Sequence, residues 1–189
     1  LERRNVRVLV PRADILRVRQ ILAEFFFRDS ANQAIQKLVE SNFNLRNLTI
    51  LARGLHVKDR TQGLVDSDDY LLVWKEFIDL CGSKWASSHG PTVVFVPEVG
   101  CVFFAGWLVT ALREGLNRAA FDHNIGVVGA ILATIGIPRR RAKAYEESLK
   151  EGRFLVIVRG TKEEIDLASA ILAPMGATGL EISDHRFVA

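Results

Sequence analysis

Asp122-His123 and Asp184-His185 are two places where a carboxylate stands beside an imidazole. Such a pair would suit general-base chemistry. Residues adjacent in sequence do not face one another on a helix, and no nucleophile signature lies near either pair. His56 and His89 are lone loop histidines, and with Cys81 and Cys101 they match no zinc-ligand spacing. Asp66, Asp68 and Asp69 lack the glycine and the terminal glutamate of a calcium loop at the required offsets. Capping of the helix that follows explains them better. The glycines at 100–106 and 126–129 are not followed by Gly-Lys-Ser/Thr, so they do not form a phosphate loop. These residues predict a protein that is not an enzyme and carries no catalytic residues, no cofactor and no metal.

Contact chemistry is better represented. Arg139, Arg140 and Arg141, with Lys143 close behind, form the one concentrated basic run. It stands at a predicted helix start, where positive charge is unfavourable. The run suits anionic lipid or a phosphate, and the mismatch points to an acidic partner, against the plainer reading of a solvated helix face. Small residues recur four apart at Ala111, Gly115 and Ala119, and again at Gly126 and Ala130 and at Gly129 and Ala133. This spacing lets two helix backbones approach closely. It fits a hairpin that dips into a membrane or locks subunits together, and equally an ordinary buried helix pair. Trp74, Trp85 and Trp107 flank this region; Trp74 is expected in the core and Trp107 at an interface.

The elements that position these residues follow a repeated grammar. The first copy is a strand at 22–27, a helix from Ser30 to Glu40 and a strand at 48–51. In it Phe25, Phe26 and Phe27 suit a strand buried on both faces, Ser30 is the expected helix cap, and Phe43 tucks back onto the core. The second copy is a strand at 154–158, a helix at 161–172 opened by Thr161 with Glu164 as a capping box, and a strand at 179–183. Ahead of the first copy, 6–10 reads as an edge strand or arm and 15–21 as a short helix or turn. Between the copies, Tyr70, Val73, Trp74, Phe77, Ile78 and Cys81 recur at helical spacing, 92–97 is extended, and 99–112 and 124–137 are apolar. Pro138 opens a helix through Tyr145 and Leu149 that Gly152 closes. Two strand–helix–strand halves predict an α+β fold: a ferredoxin-like split βαβ/βαβ sandwich with an inserted apolar helical hairpin. Its second sheet face must be covered by something else or by another subunit. The layout is an N-terminal arm or extra strand at 1–21, a first half at 22–55, an inserted helical region at 56–137, and a helix plus the second half at 138–189.

The 189 residues are 49% hydrophobic and 25% charged, a globular composition large enough for a substantial core. A net charge of +3 is too small to imply nucleic acid without clustering on one face, and no nucleic acid is expected. Two isolated cysteines point to a reduced compartment. No secretory signal is visible at the start, so the expected location is cytoplasmic, with membrane association as a variant. The first residue is not Met, which suggests a fragment or a processed form. Neither apolar run reaches the roughly 20 residues a spanning helix needs.

Four segments resemble one known group. Phe43-Asn-Leu-Arg-Asn-Leu-Thr-Ile-Leu-Ala52 is similar to a segment G-F-x-x-x-x-I-S-V-L-A, and Phe95-Val-Pro-Glu-Val-Gly-Cys-Val-Phe-Phe-Ala-Gly106 to W-I-P-G-I-G-P-V-x-V-A-G. Ala133-Thr-Ile-Gly-Ile-Pro138 resembles L-G-I-P, and the stretch from Tyr145 to Val158 resembles Y-E-x-A-L-K-x-G-x-x-L-V-x-V. These motifs belong to the bacterial heat-induced or general stress protein domain family, in its long form with an internal glycine-rich apolar insert. The resemblance spans roughly 22–182 and implies a stress-linked protein with no family catalytic residues to transfer. The chain departs from the pattern at Arg113, Glu114, Asn117, Arg118, Asp122 and His123, which interrupt the insert. Such charges are costly in lipid unless paired or snorkelling. That departure favours a protein–protein role over membrane insertion.

The expected function is a non-enzymatic stress-associated accessory or scaffold protein. It would self-associate or dock on a larger complex through Trp107, Ala111, Gly115, Ala119, Gly126, Ala130, Arg139, Arg140 and Arg141. A peripheral membrane protein inserting the hairpin and a small-molecule-binding regulatory domain are the alternatives.

Overall fold

The structure is a computed structural model that describes residues 17–54, 75, 77–80, 82, 92–96, 98–111 and 125–186. The expected arm at 6–10, the loop at 87–91 and most of the 70–81 helix lie outside the described residues.

Six strands make one antiparallel sheet: β1 (Arg17–Phe25), β2 (Leu48–Arg53), β3 (Thr92–Val96), β4 (Gly100–Gly106), β5 (Phe154–Gly160) and β6 (Thr178–Arg186). Their spatial order is β3-β4-β2-β5-β1-β6. The two ends of the chain share this sheet directly, because β1 pairs with β5 from Arg19↔Gly160 to Phe25↔Phe154. On the other side of β1, β6 pairs with it from Arg17↔Arg186 inward. With the described helices α1 (Arg28–Glu40), α2 (Val127–Thr134), α3 (Arg139–Lys150) and α4 (Lys162–Leu172), the fold is mixed α+β.

Both faces of the sheet are covered by the chain itself. On one face, Ile21, Ala23 and Phe25 of β1 and Val156 and Val158 of β5 pack under α1 and α4, with Ile35, Leu38, Ile165 and Leu172 entering the same cluster. Phe77 and Leu80, from the helical residues 77–80, join it, and Phe77 meets Phe103 edge-on at 5.8 Å. On the opposite face, Leu22, Leu51, Phe104, Leu155 and Ile157 pack under α2 and α3, which contribute Ile131, Leu132, Ala142, Tyr145 and Leu149. Burial on both sides is why β2, β4 and β5 read as continuous apolar runs. The second face, expected to be covered by something else or by another subunit, is occupied by α2 and α3 of the same chain.

Several local expectations need correction. Residues 17–21 are strand, not helix or turn: the polar residues Gln20 and Glu24, four apart, look helical, but both are buried on the α2–α3 face with hydrogen-bond partners. Phe25 is fully buried, whereas Phe26 is 51% and Phe27 72% exposed, because the strand ends at Phe25. Helix α1 therefore starts at Arg28, with Phe27 in extended conformation as its cap, and Ser30 lies inside the first turn. Phe43 does pack back onto the core, and Thr161 with Glu164 forms a true capping box on α4.

The larger correction concerns the expected helical insert. Residues 100–106 are strand β4, paired to β2 from Thr49↔Gly106 to Arg53↔Val102 and to β3 from Thr92↔Phe104 to Val96↔Gly100. Val102, Phe103 and Phe104 favour a pleated, doubly buried surface. Gly106 permits the exit from the strand: its φ is +97°, and a Cβ there would collide with the Leu48 carbonyl oxygen. The chain then makes a 3-10 turn at Trp107–Ala111. Of the expected hairpin, only α2 is a described helix.

Candidate functional site

The small-residue ladder of α2 is engaged within the chain. Ala130 is buried, and α2 packs beside α3, whose Glu146 carboxylate lies against the two glycines. A Cβ on Gly126 would overlap Glu146 Oε1, and one on Gly129 would lie 2.7 Å from Ile125 Cγ1 and 3.0 Å from Glu146 Oε2. The absence of side chains thus admits the carboxylate, and the Gly129 amide donates to Glu146 Oε2 at 2.6 Å. Glu146 caps the open first turn of α2, where a carboxylate is favoured. Burial pushes its carboxyl above the ordinary range, while the Gly129 bond and the charge of Lys150 oppose that rise.

A polar seam runs between α3 and the β1–β6 pair. Arg141 Nε donates to Glu181 Oε2 at 3.0 Å, and Tyr145 Oη donates to the same oxygen at 2.9 Å. Burial, then the bond to Glu181, pushes the Tyr145 hydroxyl well above its ordinary value. It is therefore held as a donor rather than as a base. Further along β1, Arg153 Nη1 donates to Glu24 Oε1 at 2.6 Å, and Gln20 Nε2 donates to the Ile135 carbonyl at 2.7 Å and to Ser183 Oγ at 2.9 Å. These bonds tie the edge strand β6 and the α2–α3 layer to the sheet.

Two features look outward. At one end of the sheet, Phe26 and Phe27 form an exposed pair with ring centroids 6.3 Å apart. The Arg153 guanidinium carbon lies 3.8 Å from the Phe26 ring centre, so one ring is held while Phe27 projects. At the other end, Trp107 Nε1 donates to the Asn47 carbonyl at 3.1 Å, and the Arg159 guanidinium carbon sits 4.5 Å from the Trp107 ring centre. Leu167 on α4 and Ile182 on β6 are also exposed.

Among the described residues, those singled out from sequence lie in separate places. Trp107 is half-buried beside Arg159, and Ala111 ends the 3-10 turn. Gly115 and Ala119 lie outside the described residues. Gly126 and Ala130 belong to α2 and its cap. Arg139, Arg140 and Arg141 are exposed on the first turn of α3, with Arg141 bonded to Glu181. Sequence reading missed Glu146, Glu181, Arg153 and Arg159, which are ordinary helix and strand residues by pattern. A glutamate seventeen residues from a glycine carries no local sign of capping it. Asp122, His123, His56 and His89 lie outside the described residues, and Asp184 and His185 are described only as backbone of β6. Among the described residues no group of three or more His, Cys, Asp or Glu could hold a metal ion. Also among them, no helix is long and apolar enough to cross a membrane. No family model, no curated protein and no solved structure matches this chain.

Proposed function

We propose that this chain is a non-enzymatic accessory or scaffold domain that self-associates, or docks on a larger complex, through the Phe26–Phe27 tip. The reading includes membership of the bacterial general stress protein group that four of its segments resemble. It also includes a ferredoxin-like core: β6-β1-β5-β2 is the strand order of a split βαβ sandwich, extended at β2 by the β3–β4 hairpin. The expected contact through the apolar insert is redirected, because β4 and α2 bury their side chains in the chain's own core.

The observation that carries the reading is the pair of adjacent phenyl rings exposed at 51% and 72%. Clustered exposed aromatic side chains are typical binding anchors, where a few residues supply most of the affinity. Light scattering after size exclusion, at two concentrations, tests it on the full chain. Wild type should show an oligomer that Phe26→Ser/Phe27→Ser converts to monomer. A partner retained stoichiometrically by wild type and lost by the variant would instead identify the larger complex. A monodisperse wild-type monomer with no retained partner would count decisively against the reading.

A second reading is a peripheral membrane contact, favoured by the arginine held over Phe26. Aromatic rings beside cations suit the headgroup boundary. Flotation with anionic liposomes separates the two. Wild type that floats, with Phe26→Ser/Phe27→Ser or reversal of Arg139–Arg141 to Glu remaining behind, supports this reading; failure of wild type to float removes it.

A further inference from the structure

Several charged groups within the described fold meet an opposite charge: Arg141 with Glu181, Arg153 with Glu24, Lys150 with Glu98 and Glu147. Arg159 does not. It is half-buried near the C-terminal end of β5, and among the described residues its recorded contact is the Trp107 ring. Burial lowers its guanidinium pKa. A charge withdrawn from water is costly unless paired or hydrogen-bonded. An aromatic ring offers cation–π attraction but no oxygen for the five N–H groups of the fork.

The surroundings are fixed. Gln20 is Arg159's register partner on β1, and its amide nitrogen is bound to Ile135 and Ser183. Trp107 is held by the Asn47 carbonyl. The guanidinium is thus walled on one side by a fixed aromatic ring, with its donors uncommitted to protein oxygen among the described residues.

We propose that Arg159 anchors an oxyanion-binding site, with Trp107 as its aromatic wall, for the carboxylate or phosphate group of a small ligand. A planar guanidinium can bind either anion through two parallel N–H···O bonds. The site is separate from the docking tip: five residues along β5 from Phe154, which pairs with Phe25, it lies about 17 Å away. It goes beyond the docking reading and supplies a place where a ligand could act on the same domain. The internal competitors by chain position are Glu114 and Asp122, on the segment joining the Trp107 turn to α2 and outside the described residues.

Isothermal titration of the full chain with inorganic phosphate and, separately, succinate, at constant ionic strength with chloride as control, tests the site. Saturable binding of one of them is expected, and which one binds identifies the anion class. Arg159→Gln should weaken it at least about tenfold with an unchanged far-ultraviolet circular dichroism spectrum. Arg159→Lys, which keeps the charge and loses the fork, should weaken it several-fold, and serves if the glutamine variant fails to fold. Trp107→Phe should weaken it less than Arg159→Gln. Phe27→Ser should leave it unchanged, so this result stands apart from the docking reading. The proposal is overturned if wild type binds neither anion, or if binding survives intact in both Arg159 variants. Binding that appears only in Glu114→Gln/Asp122→Asn would also overturn it, by showing Arg159 to be internally paired.

Discussion

Glu146 Oε2 on α3 accepts a hydrogen bond from the Gly129 amide on α2 at 2.6 Å, and a Cβ on neighbouring Gly126 would occupy the space of the same carboxylate. Two glycines that read as a helix-association ladder are therefore the seat of an intramolecular cap. Gly126→Ala should destabilise the fold by about 1–3 kcal/mol through this overlap. In a Glu146→Ala background the same substitution should cost less, because the obstructing carboxylate is gone. Urea unfolding of the four proteins in this double-mutant cycle measures the coupling. A coupling near zero would contradict the assigned contact.

The same carboxylate sets a pH dependence. Burial raises the folded-state pKa of Glu146, so the folded chain holds that proton more tightly than the unfolded chain. This contribution to stability is fully present below the unfolded-state value. It declines as pH rises through the interval up to the raised folded-state value. Glu146→Gln should flatten that decline, which denaturant midpoints taken across the interval would reveal. An unchanged slope would show that Glu146 does not titrate as described.

Arg153 and Glu24 form a part-buried pair, with side chains 23% and 11% exposed. Arg153→Met should cost about 2–3 kcal/mol, since it leaves the Glu24 charge withdrawn from water without its partner. Adding Glu24→Gln should recover part of the loss. If the double variant is as unstable as the sum of the two single changes, the pair is not coupled.

The capping box on α4 has a smaller, local value. Thr161 Oγ1 accepts from the Glu164 amide at 3.3 Å, and the Thr161 amide donates to Glu164 Oε2 at 2.8 Å. Thr161→Ala should lower stability by about 1 kcal/mol. Amide hydrogen exchange should rise first in the initial turn of α4.

Phe27 should behave oppositely. At 72% exposure it contributes little to the core, so Phe27→Ala, which adds no capping hydroxyl at the start of α1, should change stability by less than about 0.5 kcal/mol. Loss of self-association or of a retained partner in a variant with wild-type unfolding midpoint would separate a docking role from a folding role.

Much of the element pattern was readable along the chain. The α4 capping box, the α3 boundaries from Pro138 to Gly152, and the strands expected at 48–51, 92–97 and 154–158 and found at 48–53, 92–96 and 154–160 depend on caps, prolines and β-branched runs within a few residues. Where reading failed, a distant partner had the deciding effect. Residues 17–21 form a strand because β5 and β6 flank them. Residues 100–106 form a strand rather than a helix because β2 and β3 receive them on both sides. The candidate sites were less legible still: Arg159 of β5 meets the ring of Trp107 in the 3-10 turn after β4, and no local pattern announces a contact between elements so far apart in sequence.

Hydrophobic period, capping residues and turn chemistry act over a few bonds, so the chain alone determined that two strand–helix–strand units exist and roughly where each begins and ends. Which strands neighbour which, that α2 and α3 cover the second face, and which charges meet or stay unmatched were decided only in three dimensions. Those outcomes depend on burying both sheet faces at once and on pairing groups as distant as Gln20 and Ser183, 163 residues apart, and neither constraint leaves a mark within a local window of sequence.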